Sequence, residues 1–293
     1  MLTTFNGFQA DLDVADFILF GAPLDMTTSH LPGTRFGPNA IREASLYVET
    51  YNIKVDFDAD NFLIHDLGDI IAPNGDINSL LNTIYETSLK FLERKKRIIM
   101  LGGEHLITYG GVKAFYSHFN NKKICIVYLD GHFDLRDKLS NLKFSHGTTM
   151  RRILDFFPKD RIIQIGIKAP SKEEYEYAVS NNIKFVEWQV FLESNLDDII
   201  SKITDFLEIF DLAYLSIDLD VFDPAVLPGV GNPEPGGLNY FYVMKIIEKI
   251  GNVIEIPFFD ITELNPLIES KISPITATKV IYGYLFSQLK YLK

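Results

Sequence analysis

The feature that most restricts the fold is a series of short apolar runs, several of them without polar alternation. They are ADFILF (15–20), FLIH (62–65), IIM (98–100), ICIVYL (124–129), RIIQIGI (161–167), IKFVEW (183–188), AYLSIDL (213–219) and VIEI (253–256). A strand with one wet face alternates polar and apolar residues, whereas a strand covered on both faces does not, and the latter is the habit of parallel sheets. Between these runs, INSLLNTIYETSLKFLERKK, NLDDIISKITDFLEIF and NYFYVMKIIEKI carry apolar residues at helical spacings. Strand then helix, repeated along the chain, predicts crossover units and a mostly parallel sheet between two helical layers. No Gly/Ser linker, charge block or low-complexity tract divides the sequence, so residues 1–293 read as a single α/β/α domain.

Composition narrows the partners. Hydrophobic residues make up 47% of the chain and charged ones 23%, a folded rather than a disordered profile. A formal charge of -11 argues against nucleic acid or an anionic membrane as partner and leaves a small cation open. Cys125 is the only cysteine, which rules out an intrachain disulfide and a thiolate metal cluster. The opening MLTTFNGFQADLD lacks the basic start and apolar run of a leader, and no apolar stretch reaches the roughly 20 residues of a membrane span. A cytoplasmic setting is expected.

Glycine and proline cluster in GAPLDMTTSHLPGTRFGP (21–38) and DPAVLPGVGNPEPGG (223–237), which read as loops beyond strand ends, where α/β proteins assemble sites. Neither a GxGxxG pattern nor a GK[ST] after GGEH is present, so a nucleotide has little support. Chemistry concentrates elsewhere. IIMLGGEH places His105 just past one strand, ICIVYLDGHFD places Asp130, His132 and Asp134 past a second, and LSIDLD brings out Asp218 and Asp220 at a third. Extended backbone sends i, i+2 and i+4 side chains to one side, so each small cluster can converge on the same sheet edge. A lone aspartate after a strand is usually a turn or cap residue, and lone histidines such as His65 and His118 read as structural. Six ligand-type residues in three strand-end motifs read otherwise. Imidazole nitrogen with carboxylate oxygen suits manganese and similar ions, and four aspartates match the charge of two divalent cations. Asp130 and Asp218, first in their clusters, are the bridging candidates.

In these motifs the chain resembles the arginase and agmatinase family, the ureohydrolases, from GAPLD to DITELNP, through LGGEH, LDGHFD, SHGT and SIDLDVFDPAVLPG. The resemblance implies an arginase-like three-layer fold with a central eight-stranded sheet. It assigns one metal to His105, Asp130, Asp134 and Asp218, and the other to Asp130, His132, Asp218 and Asp220. It further implies hydrolysis of a guanidinium-type carbon, with Asp134 positioning, His146 of SHGTTMRR as proton shuttle and Glu263 of DITELNP receiving the guanidinium. A homo-oligomer, trimer or hexamer, is implied as well. Two departures stand out: Gly131 where relatives carry Ala or Ser, and Val230 and Asn232 where many carry threonine. HFDLRDKLSNLKFSHGT lacks the arginase arrangement for an α-carboxylate, so the expected substrate is agmatine, cleaved to putrescine and urea for polyamine synthesis. Arginase, guanidinobutyrase or related guanidino-acid hydrolase, and formimidoylglutamase are the enzyme alternatives; a scaffold protein on the same fold is the alternative of another class. Arg136 is expected in an ion pair with Asp137 or another acid, although in the pocket it would favour an acid-tailed substrate.

Overall fold

The computed structural model describes residues 3–71 and 75–292. Its strands are β1 (Phe17–Ala22), a small antiparallel pair β2 (Tyr51–Asn52) and β3 (Phe57–Asp58), then β4 (Ile64–Asp69), β5 (Arg97–Gly102), β6 (Ile124–Leu129), β7 (Ile162–Ile167), β8 (Lys184–Glu187), β9 (Leu212–Asp218) and β10 (Glu255–Thr262). Eight of them form one sheet in the order β4-β1-β5-β10-β9-β6-β7-β8, with every neighbouring pair parallel. One face is covered by α1 (Gly37–Ser45), α6 (Val190–Glu193), α7 (Leu196–Leu207), α8 (Tyr240–Val253) and α9 (Ile272–Ser287). The other carries α2 (Ile77–Glu93), α3 (Ile107–His118), α4 (Thr149–Ile153) and α5 (Lys172–Ser180). Along β6, Cys125, Val127 and Leu129 enter the first core while Ile124, Ile126 and Tyr128 enter the second. Both faces are dry, which is why the sequence of this strand does not alternate.

Helix starts follow local chemistry. Asp76, Asn195 and Asn239 cap α2, α7 and α8 by accepting from backbone amides, and Ser171 with Glu174 forms a reciprocal capping box at α5. Strand limits differ by a residue or two from the sequence reading, except at β4, which runs four residues past FLIH to Asp69, and at the last strand. The sequence marks VIEI (253–256), yet Val253 closes α8 and β10 continues to Thr262. Pro257 masks that continuation because it lacks an amide donor. The ladder with β9 shifts register between Glu255 and Phe258, and pairing with β5 starts at Phe258 opposite Ile98, so the proline falls in an irregularity.

The consequence for function lies in the middle of the sheet. Strands β5, β10, β9 and β6 are consecutive neighbours, and their carboxyl ends lead into His105, Glu263, Asp218 and Asp130. No described helix is long and apolar enough to cross a membrane.

Candidate active site

LGGEH turns sharply as β5 ends. A Cβ on Gly103 would lie 1.9 Å from the Leu24 carbonyl oxygen, so only glycine lets the chain pass there. The turn delivers His105 to the sheet edge, where its ring stacks on Tyr128 with centroids 4.5 Å apart. His105 Nε2 lies 2.8 Å from Ser216 Oγ, whose own proton goes to Asp260 Oδ1 at 2.6 Å. Ser216 therefore accepts from Nε2–H, and this assigned tautomer leaves the Nδ1 lone pair free. Asp260, fully buried, also accepts from Thr108 Oγ1 at 2.9 Å and from the Tyr214 hydroxyl.

His105 Nδ1 stands 2.9 Å from Asp218 Oδ2, 3.1 Å from Asp130 Oδ2 and 3.5 Å from Asp134 Oδ2. Burial pushes its pKa down, so the ring is neutral, and a neutral lone pair facing three carboxylates is repulsive. A cation among these atoms reverses the sign. Asp130 Oδ2, buried and without a hydrogen-bond partner, marks the same place. Next to it, His132 Nδ1 lies 2.9 Å from Asp220 Oδ2 and 3.8 Å from Asp130 Oδ1. Ligand-type atoms of His105, Asp130 and Asp218 form one group and those of Asp130, His132 and Asp220 a second, each within 4.8 Å. Asp130 belongs to both groups. Two adjacent N/O sets sharing a carboxylate fit a pair of divalent ions.

Two backbone amides and a tyrosine hydroxyl hold the carboxylates. Asp218 Oδ1 accepts from the Asp220 amide at 2.7 Å, Asp220 Oδ1 from the Gly131 amide at 3.0 Å, and Asp134 Oδ2 from the Tyr128 hydroxyl at 2.8 Å. Asp134 and Glu263 adopt φ of 54° and 66°, backbone strain that collects at functional positions.

Without cations, this crowding is unfavourable. Burial drives Asp130 and Asp218 well above 3.8, with Asp134 adding to the first shift and Asp220 to the second, and burial lifts Asp134 to about 7. Burial alone would lower His132, but Asp220 outweighs it and holds the imidazole at about 10. The metal-free folded protein then binds more protons than the unfolded chain above about pH 4, so its stability falls as pH rises. Chelation is expected to lower the Tm by on the order of 10 °C near pH 8, and by much less near pH 5.5. Scanning calorimetry with and without chelator checks this; equal shifts at both pH values would contradict it.

Above the ligands opens a cleft of about 230 Å³, lined on its outer part by Ser29, Arg136, His146, Glu174, Asn232 and Glu234. Its size suits a small linear molecule. His146 starts a short turn whose amide donates to Thr27 Oγ1 at 3.1 Å, and its Nε2 lies 3.1 Å from Ser29 Oγ. Burial holds its pKa at about 4, so the resting imidazole is neutral. Glu104, raised by burial to about 7, accepts from the Thr27 amide at 3.0 Å and Thr27 Oγ1 at 2.9 Å, which anchors the loop carrying Ser29. Glu263 Oε1 accepts from the His105 amide at 2.7 Å. Burial pushes Glu263 well above 4.5, and the neighbouring carboxylates of Asp218 and Glu104 raise it further.

The arginase family profile matches residues 15–286. The chain belongs to the arginase family. Over 279 residues it is 34% identical to N(1)-aminopropylagmatine ureohydrolase of Thermococcus kodakarensis, covering 94% of this chain and 92% of that protein. With the agmatinase of Bacillus subtilis it shares 31% identity, over 98% of this chain and 96% of the relative. The solved agmatine ureohydrolase of Thermoplasma volcanium superposes with a TM-score of 0.90 at 30% identity, covering 99% of this chain and 95% of that one. As a ureohydrolase-family member, the chain is a hydrolase of a small guanidino or amidine substrate.

For an arginase-family site, the structure brings His105, Asp130, His132, Asp134, Asp218, Asp220, His146 and Glu263 to one sheet edge. His65 and His118 stay apart: His65 Nδ1 contacts the Ala10 carbonyl at 2.8 Å, and His118 packs on Phe119. Cys125 is buried in β6. Of the two loop departures from relatives, Val230 is buried and bridges Leu264, outside the cleft, whereas Asn232 lines it. Arg136 Nε pairs with Glu174 Oε2 at 3.5 Å, while Asp137 pairs instead with Arg152 at 3.0 Å. Sequence reasoning missed Ser29, Glu104, Tyr128, Ser216 and Asp260. Tyr128 and Ser216 sit two residues before Asp130 and Asp218, so the period of the strand already put them on the ligand side.

Proposed function

We propose that the chain is an agmatinase, converting agmatine and water to putrescine and urea with two manganese ions. Glu263 is the observation that carries this reading: a buried carboxylate at the cleft floor whose nearest charges are other carboxylates. A planar guanidinium supplies the missing positive charge and a paired hydrogen-bonding edge. At the outer end, Glu174 and Glu234 face one cation, Arg136, which is already paired with Glu174. That balance favours a substrate whose far end is an ammonium rather than a carboxylate. Relatives named for agmatine and aminopropylagmatine support the same direction.

The ion pair, when bound to the two ligand sets, supplies an activated water and polarises the carbon under attack. Asp134, steadied by Tyr128, is positioned to accept a hydrogen bond from the attacking group. Glu263 fixes the plane of the guanidinium. His146, neutral at pH 7, can take a proton at Nε2 and pass it to the departing amine.

A second reading rests on Arg136, 40% exposed at the cleft. Freed from Glu174, it would receive an acid tail, as in guanidinobutyrate. Urea release after manganese loading, measured with agmatine, arginine and guanidinobutyrate in parallel, separates the two. Agmatine is expected to lead in kcat/KM by about 100-fold. A lead for guanidinobutyrate would make Arg136 an acid-recognition residue and overturn the agmatine assignment.

A further inference from the structure

Lys168 follows β7 and runs alongside the metal-ligand loop. Its amide and that of Ala169 both donate to the Gly131 carbonyl, at 2.8 and 2.9 Å. Its Nζ donates to three backbone carbonyls, Phe222 at 2.9 Å, Glu234 at 2.9 Å and Gly236 at 3.0 Å. An ammonium has three protons and no acceptor, so these carbonyls use its whole capacity. Phe222 stands just before the 223–237 loop, and Glu234 and Gly236 lie near its far end. One side chain thus ties both ends together. The loop between them places Asn232, with Nδ2 3.5 Å from His146 Nε2, and Glu234 on the cleft.

Gly131 explains how Lys168 reaches this position. A Cβ there would lie 2.7 Å from Lys168 Cε and 2.9 Å from Asp220 Oδ1. Neither neighbour has slack, since Asp220 accepts from the Gly131 amide and Lys168 is held at its tip. The departure at residue 131 therefore leaves the space that the Lys168 stem occupies.

We propose that Lys168 is a positioning residue that fixes the substrate-tail end of the cleft through the 232–236 tip, and that Gly131 is the space its side chain requires. The effect on substrate rests on the ureohydrolase reading above; the effect on the loop does not. Trp188, the only tryptophan, reports on the loop directly, because a Cβ on Gly236 would lie 2.7 Å from its Cζ2.

Lys168→Met keeps the stem and removes the donors. With manganese loaded, it is expected to raise KM about tenfold while kcat stays within about threefold, the loss expected from charge-assisted hydrogen bonds that position rather than react. Trp188 should become more accessible to acrylamide quenching, with two ions per chain retained. Unchanged quenching and unchanged KM would overturn the clamp. If Lys168→Met does not fold, Lys168→Gln, which retains a two-proton donor, carries the same measurements. For the space argument, Gly131→Ala should increase Trp188 quenching in the wild-type background and add nothing to Lys168→Ala. Additive effects would overturn the link between the two residues. If wild type releases no urea from agmatine, the substrate assignment fails on its own, and the quenching result still decides the clamp.

Discussion

Replacing Asp130 by Asn is expected to weaken both metal positions at once and to cut turnover by roughly 10³-fold or more. The reason is geometric. Asp130 contributes to the group with His105 and Asp218 and to the group with His132 and Asp220, so losing its charge affects both. His105→Asn should differ, lowering occupancy mainly at one position, because His105 belongs to a single group. Elemental analysis of purified protein distinguishes these outcomes. Two ions retained per chain in Asp130→Asn would remove its bridging role. The same variant should make the metal-free protein more stable near pH 8, since it deletes one of the carboxylates that crowd each other in the buried cluster.

Glu263→Gln should separate recognition from metal binding. The amide oxygen of glutamine can still accept from the His105 amide, which leaves the turn after β5 in place. It cannot supply the charge or the second acceptor for a guanidinium. A loss of about 10²- to 10³-fold in kcat/KM is expected, the scale of a buried charge-assisted pair. Metal content should be unchanged. Metal-free stability should stay level or rise, because a carboxylate buried beside Asp218 and Glu104 is a cost to folding that the variant removes. Activity near wild type would withdraw Glu263 from substrate recognition, and a loss of metal would show that it acts through His105 instead.

These outcomes depend on residues that differed in how readily the sequence revealed them. Asp130, His132 and Asp134 share one side of the chain end by the period of extended backbone, and Asp218 with Asp220 does the same, so their grouping was local information. Apolar runs buried on both faces likewise announced a parallel sheet. What local spacing could not provide was the order of strands. The run at 253–256 gave no hint that β10, continued past Pro257, lies between β5 and β9. That placement brings Asp260 under Ser216 and Glu263 beside His105.

Burial decided the rest. His146, expected from the resemblance as proton shuttle, has its pKa held at about 4 by burial, and Glu104, inconspicuous beside His105, becomes an anchor for the Ser29 loop. Arg136 chose Glu174 over the adjacent Asp137 because α5 presents its capping glutamate at the cleft. The sequence by itself determined the layered α/β class, the sets of candidate ligands and the resemblance to ureohydrolases, since each is written in short-range pattern and residue chemistry. Only the tertiary structure decided which imidazole nitrogen is free and what stands at the substrate's far end, because each depends on groups far apart in the chain meeting in a low-dielectric interior.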